Sequence, residues 1–309
     1  MATILITGGT GMIGMALTNA LIDKGYEVII LTRNKNKPGL INKNISYAEW
    51  NINRQTIEEE AIKKADYIIH LAGANVAGKR WTSKRKKEIA DSRVISGELL
   101  VKTLNELPNK VKATVSASSI GYYGADPKIL NPEPFVEKDP PSNDFLGGVA
   151  QKWEQTMQAI TGLDKRLVIL RTGIVLSTEG GAYVEFVKPL KFRIAGIPGT
   201  GKQIISWIHI DDLVRIYIEA IENEKWKGIY NAVAPDPVSM EQLIRSIGAA
   251  HYKKFICLHA PEFVLKIVLG ELGVEILKST TASSLKIEQQ GFIFFFPSIE
   301  TAIRKLAAS

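Results

Sequence analysis

Thr3-Ile4-Leu5-Ile6-Thr7-Gly8-Gly9-Thr10-Gly11-Met12-Ile13-Gly14 is the stretch whose reading decides the fold. Its first five residues are apolar or β-branched and run straight into glycines, the pattern of a buried parallel strand. Apolar residues then recur at helical spacing through Met12–Lys24, and Gly25 supplies a stop. Between strand and helix lies G-x-G-x-x-G. The string is weak alone but informative in that setting. Gly8 and Gly11 allow a tight turn and let the backbone approach a pyrophosphate, while Gly14 lets the helix pack close to the strand. The free N–H groups of the helix start then meet the phosphates.

Further strands are expected at Glu27–Thr32, Ile45–Trp50, Asp66–Ala72, Lys112–Ser118 and Arg166–Leu176. Helices are expected at Trp81–Leu107 and Asp144–Ile160. Strands alternating with helices imply right-handed crossovers and a doubly wound parallel sheet, a Rossmann-type α/β fold. After Leu176 the rhythm changes. A short helix is expected near Val184–Phe192 and another at Leu213–Glu222, with a strand near Ile229–Ala232. Ser239–Ala249 reads as a helix capped by Ser239. A strand at Phe255–His259, a helix opened by Pro261, a last strand at Gly291–Phe296 and a last helix at Pro297–Leu306 follow. The expected division is a dinucleotide-binding domain over 1–176, rejoined by segments near 207–233, and a smaller α/β substrate-side domain over 177–309.

The residue closing the second strand selects the cofactor. An acid there would bond the 2′-hydroxyl of NAD. Here the strand ends Leu31-Thr32-Arg33-Asn34, with Lys35 and Lys37 nearby and no acid before Glu49. An arginine offers a bidentate fork to a 2′-phosphate, so the reading is NADP(H).

The remaining composition mostly excludes. No window approaches the roughly 20 apolar residues of a membrane span, and no signal-peptide pattern opens the chain. The single cysteine, Cys257, fits a reducing compartment. The chain therefore reads as soluble and cytoplasmic. Net charge is +7, much of it in Lys79–Lys87 (KRWTSKRKK). That run reads as a solvated helix start, as a surface for an acidic partner, or as charge serving an anionic cofactor and substrate. No zinc-ligand spacing or aromatic RNP motif accompanies it, so nucleic acid is not expected. No metal site is expected either, and oligomeric state is not legible. Gly196–Gln203 (GIPGTGKQ) imitates a Walker A loop. Gln203 has no hydroxyl for Mg²⁺, and a β-like run follows where a helix is required.

At TGGTGMIG the chain resembles the extended short-chain dehydrogenase/reductase superfamily. Leu71-Ala72-Gly73, Lys79-Arg80-Trp81-Thr82, Asp91-Ser92-Arg93, Gly121-Tyr122-Tyr123-Gly124, Trp153-Glu154, Arg171-Thr172-Gly173 and Trp207–Asp212 resemble one atypical branch, a sugar-nucleotide epimerase family once called cell-division inhibitor-like. The resemblance implies a cofactor site built from Gly8, Thr10, Gly11, Met12, Ile13, Thr32 and Arg33. Leu71, Ala72 and Gly73 would pass beside the adenosine half, Arg93 would approach from the following helix, and main chain around Gly173–Val175 would face the nicotinamide.

Typical members of the superfamily use a Tyr-x-x-x-Lys pair, one helical turn apart, to move a proton. Alignment on Glu154 puts Leu146 and Ala150 at those positions, and neither can do so. The remaining candidates are Ser119, aligned with the superfamily's catalytic serine, and the loop tyrosines Tyr122 and Tyr123, which read equally as packing anchors. His209 reads as a satisfied, partly buried histidine. The stretch Lys278–Ser284 lacks an arginine that the branch often places there, which weakens a nucleotide-sugar substrate. Two functions remain: an NADP(H)-dependent oxidoreductase or epimerase acting on a small carbonyl or hydroxyl compound, or a binding protein that senses NADP(H) without turnover.

Overall fold

The computed structural model describes residues 1–35, 41–128, 131 and 133–308; Lys37 lies outside them. The first half runs β1 (Thr3–Thr7), α1 (Met12–Asp23), β2 (Glu27–Thr32), β3 (Ile45–Asn51), β4 (Thr56–Ile57), α2 (Glu59–Lys64), β5 (Tyr67–His70), α3 (Ser83–Glu106), β6 (Ala113–Ser119), α4 (Phe145–Gln158) and β7 (Arg166–Thr172). Next come β8 (Ile174–Ser177), β9 (Gly180–Gly181), α5 (Ala182–Val187), β10 (Ile194–Pro198), β11 (Ile204–Ile205), β12 (Trp207–His209), α6 (Ile210–Glu222) and β13 (Gly228–Ala232). The chain ends with β14 (Val238–Ser239), α7 (Met240–His251), β15 (Ile256–Ala260), α8 (Glu262–Leu269), α9 (Glu271–Ile276), α10 (Leu285–Gln289) and α11 (Ile299–Ala308).

The main sheet has the order β13-β7-β6-β5-β1-β2-β3-β4. Every pairing in it is parallel except β3 with β4. This is the doubly wound Rossmann arrangement expected from the alternation of strands and helices. The winding reverses between β1 and β5, and in such sheets ligands bind beyond the strand ends at that point. Both faces are covered. Ile4, Ile6, Val28, Ile30 and Ile69 pack with α1 and α6 on one side, while Leu5, Ile29, Ile68 and Leu167 pack with α3 and α4 on the other. Strands buried on two faces read as unbroken apolar runs, which is why TILIT and EVIILT were so readable. Tyr183, Ala195, Ile197, Trp207, Leu243, Ile247 and Ile303 form a further cluster under α5, α7 and α11.

The structure departs from the sequence expectations in three places. Arg166–Leu176 is not one strand. It breaks at Gly173, where a Cβ would stand 2.5 Å from the Ser206 carbonyl oxygen. β7 stays in the main sheet, while β8 leaves it to pair with β12 and β9. Gly291–Phe296 is not a strand, because the Phe295 and Phe296 N–H groups donate to the buried carboxylate of Asp212 at 2.9 Å each rather than to a ladder. Val184–Phe192 divides into α5 and a 3₁₀ turn beginning near Pro189. The Ser239 cap forms, its side chain accepting from the Gln242 N–H at 3.1 Å. The imitation Walker loop is followed by β11, not by a helix.

Candidate functional site

Gly8 has φ +71°, and a Cβ there would lie 2.9 Å from the Leu71 carbonyl carbon. Only glycine fits, because the left-handed region and the backbone of the next strand both exclude a side chain. At Gly14 a Cβ would lie 2.4 Å from the Gly8 oxygen, so α1 can start this close to the loop only without one. The loop closes by a bond from Gly11 N–H to Gly8 C=O at 3.0 Å. No side chain caps α1, and its first turn carries no acid. Its first N–H groups therefore keep their capacity for an anion.

Thr7 at the end of β1 organises the neighbouring strand end. Its Oγ1 accepts from the N–H groups of Leu71 and Ala72, both at 3.1 Å, which stops β5 at His70. With both lone pairs used, the Thr7 hydroxyl donates to His70 Nδ1 at 2.8 Å. His70 Nε2 then carries the ring proton and faces Ser96 Oγ at 3.4 Å. Burial, and secondarily the Arg93 charge, push the His70 pKa down to about 3, so the ring stays neutral. Sequence reasoning missed this residue; a histidine within DYIIHLA carries no local signal beyond its burial.

A cavity of about 760 Å³ opens beyond β1, β2 and β5. Among the predicted cofactor residues it is lined by Gly8, Thr10, Gly11, Thr32, Arg33, Leu71, Ala72 and Gly73. Met12, Ile13, Arg93 and Val175 lie outside its lining. The opposite wall is the start of α3, with Lys84, Arg85, Lys87, Glu88 and Asp91. Glu88 is paired with Arg85 and Asp91 with Lys87. Four cations against two carboxylates leave the cavity positive. The basic run Lys79–Lys87 thus contributes directly to a wall of this cleft. Arg33 and Lys84 have no ion-pair partner among the described residues.

Arg93 is packed beneath the cavity floor. It donates to the carbonyls of Ala74 and Ile89 at 3.2 and 2.9 Å and lies over the Trp153 ring. Burial, with the nearby Arg85 charge, lowers its pKa to about 10. It holds the Gly73–Ala74 loop: a Cβ on Gly73 would stand 3.0 Å from its guanidinium carbon. Met12 reaches toward the β8–β9 hairpin that carries Val175, its Sδ 3.6 Å from where a Cβ on Gly180 or on Gly181 would stand.

The ends of β6, β7 and β13 are built differently. Arg171 and Glu154, both buried, form a bidentate ion pair at 2.8 Å per contact. Ser118 donates to Glu154 at 2.6 Å. Arg171 also donates to the Tyr123 hydroxyl at 2.9 Å, and that hydroxyl donates to Asn231 Oδ1 at 2.7 Å. Burial raises the Tyr123 pKa well above the ordinary phenol value despite the adjacent guanidinium. Tyr123 is thus locked and shielded. Tyr122 lies half-exposed, with the Arg171 guanidinium 3.4 Å from its ring centroid. Its hydroxyl has no hydrogen-bond partner among the described residues. Ser119 accepts from Gly121 N–H at 3.1 Å, leaving its own proton to donate. Leu146 sits next to both, its Cβ 3.3 Å from where a Gly121 Cβ would be. His209 caps α6 through Nδ1, and burial holds it neutral. Among the described residues no cluster of three or more potential metal ligands occurs, and no helix is long and apolar enough to cross a membrane.

The cofactor loop, the switch-point cleft and the parallel sheet together define a Rossmann-type protein of the epimerase class. Residues 4–148 match the NAD dependent epimerase/dehydratase family, and residues 260–306 match a domain of unknown function, DUF1731. The epimerase family protein YfhF of Bacillus subtilis is 34% identical over 305 residues, covering 99% of this chain and 98% of YfhF. The chloroplastic SDR39U1 homologue of Arabidopsis thaliana is 30% identical, covering 98% of this chain and 86% of its own. The crystal structure of human epimerase family protein SDR39U1 (isoform 2) with NADPH superposes with a TM-score of 0.86, at 27% identity and 99% coverage of both chains. The chain belongs to the NAD-dependent epimerase/dehydratase family, as an epimerase-family NAD(P)-binding oxidoreductase of the SDR39U1 kind.

Proposed function

We propose that the protein is an NADP(H)-dependent oxidoreductase acting on a small carbonyl or hydroxyl compound. The observation that carries this reading is the positive cleft at the switch point, with Arg33 at the end of β2 and its own acids already paired. Arg33 would fork onto the 2′-phosphate, supported by Thr32. The first turn of α1, with Thr10 and Gly11, would hold the pyrophosphate. Leu71, Ala72 and Gly73 would flank the adenosine half. Met12, Ile13 and Val175 would border the nicotinamide half, and Arg93 would keep the Gly73–Ala74 loop in place. The human relative's complex with NADPH supports the phosphorylated cofactor.

When bound, the cofactor supplies or takes the hydride. The chain's part is to orient the substrate oxygen and exchange one proton. Ser119, with an unused O–H, would donate a hydrogen bond to that oxygen. Tyr122 beside it, its ring held under the Arg171 guanidinium, would handle the proton. Tyr123 would support Tyr122 rather than react. The 177–309 portion would supply the substrate side. With Leu146 and Ala150 where an acid–base pair would stand, a single reduction is favoured over an epimerisation, which needs proton handling twice.

The test is NADPH oxidation, followed at 340 nm, with a panel of aldehydes, ketones and nucleotide sugars. Turnover by wild type, reduced about 100-fold or more in Tyr122→Phe and Ser119→Ala with NADPH affinity intact, is the expected result. Absence of turnover together with a tenfold or larger difference in affinity between NADPH and NADP⁺ would instead establish the sensing role, for which Leu146 and Ala150 are the favouring observation. The cytoplasmic expectation is open to the same kind of variation: the Arabidopsis relative is named as chloroplastic.

A further inference from the structure

Among the described residues β15 pairs on one side only, in parallel with β10. The bonds from Ile256 N–H to Arg193 C=O and from Gly199 N–H to Ala260 C=O show which residues face β10. They are Ile256, Leu258 and Ala260. By strand alternation, the N–H and C=O groups of Cys257 and His259 face the opposite, unpaired edge. Such an edge is a template for another strand. Natural edges are usually blunted by charge or proline, but this one carries Ile256 (65% exposed) and Leu258 (51%).

The segments on either side extend the apolar surface. Phe192 is 80% exposed and precedes Arg193, the residue bonded to Ile256. α8, entered directly from β15 through Pro261, has no buried residue and exposes Phe263, Ile267 and Val268 by 63–67%. Together these six side chains present roughly 600–700 Å² of apolar surface, taking about 180 Å² for each full side chain. As a sum it approaches the roughly 800 Å² per partner of a stable interface. The exposed residues of α3, by contrast, are all polar or charged, among them Lys84, Lys87, Glu98, Lys102 and Glu106.

We propose that this edge is the interface with a second copy of the chain, formed by antiparallel pairing of β15 with itself across a twofold axis at Leu258. That register has a chemical warrant. It places Cys257 opposite His259 of the second copy, so the outward N–H and C=O groups of both residues satisfy each other. It brings Leu258 against its own equivalent and Ile256 against Ala260. Beyond the strand ends it brings Lys254 toward Glu262, which within one copy pairs with Lys266, an attraction that occurs twice by symmetry.

The test is sedimentation equilibrium of the full chain at about 1–100 μM. The expected result is a concentration-dependent mass between one and two times 34.1 kDa. Ile256→Lys/Leu258→Lys, at exposed positions, should be monomeric with an unchanged circular dichroism spectrum. Lys254→Glu and Glu262→Lys should each weaken association about tenfold, and the double exchange should restore it. Backbone amides of Cys257 and His259 should lose their protection from hydrogen exchange on dilution. A mass of one chain at every concentration overturns the proposal and assigns the face to another partner. Dimers that survive Ile256→Lys/Leu258→Lys overturn it too, because they must use another surface.

Discussion

The strand ends at β1, β2 and β5 and those at β6, β7 and β13 follow opposite plans. The first group ends in an open, positive cavity lined by the glycine loop, Arg33 and the start of α3. The second ends in a sealed network in which Ser118, Glu154, Arg171, Tyr123 and Asn231 satisfy one another. The first has affinity to offer an anion. The second has rigidity to offer Tyr122 and Ser119, which stand on top of it. A site for a dinucleotide can be made from backbone and a few glycines, whereas placing one phenol beside a serine takes five buried side chains from four elements and the turn after β6.

The sharpest way to break the contrast is to unseal the second region. Arg171→Met leaves the Glu154 carboxylate buried without its partner, and such losses cost about 3–5 kcal/mol. Urea unfolding should show that drop. Part of it should return in Arg171→Met/Glu154→Met, where no buried charge is stranded. A drop below about 1 kcal/mol would mean that the network does not hold the β6–β7 ends together.

The open region should fail through geometry. Gly14→Ala forces a Cβ to within 2.4 Å of the Gly8 oxygen. Overpacking of this kind costs up to about 3 kcal/mol. Nucleotide binding should weaken at least tenfold in calorimetry, since the α1 start must move away from the loop.

Between the two regions stands His70, and its effect depends on pH. Its pKa is about 3 when folded and 6.5 when exposed, so between those values the unfolded chain binds the proton and the folded chain does not. Its contribution is therefore complete above pH 6.5 and is lost as pH falls toward 3. At pH 5 the loss should be about 2 kcal/mol, from roughly 1.4 kcal/mol per unit. His209, also held neutral by burial, acts in the same direction. His70→Gln should flatten the profile of stability against pH between 7 and 5; an unchanged slope would show that His70 is not the proton-linked group.

Sequence legibility follows the same divide. The glycine loop was readable because each requirement is local: a turn with positive φ, a close approach, a helix start without a side-chain cap. Arg33 stands out in the sequence because a single residue at a strand end bears on the choice between two cofactors. The Glu154–Arg171 network joins residues 17 apart in the chain, and Tyr123 meets Asn231 over a separation of 108. No spacing rule connects such pairs, so Tyr122 and Tyr123 looked alike in sequence and only the fold separates a half-exposed ring from a locked one. The break at Gly173 was hidden for a similar reason: RLVILRTGIVL is apolar throughout, and what ends β7 there is the Ser206 backbone. Asp212, which takes the N–H groups of Phe295 and Phe296, turned an expected strand into a loop from 83 residues away.

The smallest of these effects bears most directly on the central claim, that the cleft beside Arg33 selects a 2′-phosphate. Calorimetry of NADPH and NADH with wild type and Arg33→Ala measures it. Wild type should bind NADPH at least about tenfold more tightly, equivalent to 1.4 kcal/mol. Arg33→Ala should remove that preference and leave NADH affinity unchanged. Equal affinity of wild type for both nucleotides, or a preference that survives Arg33→Ala, would contradict the account.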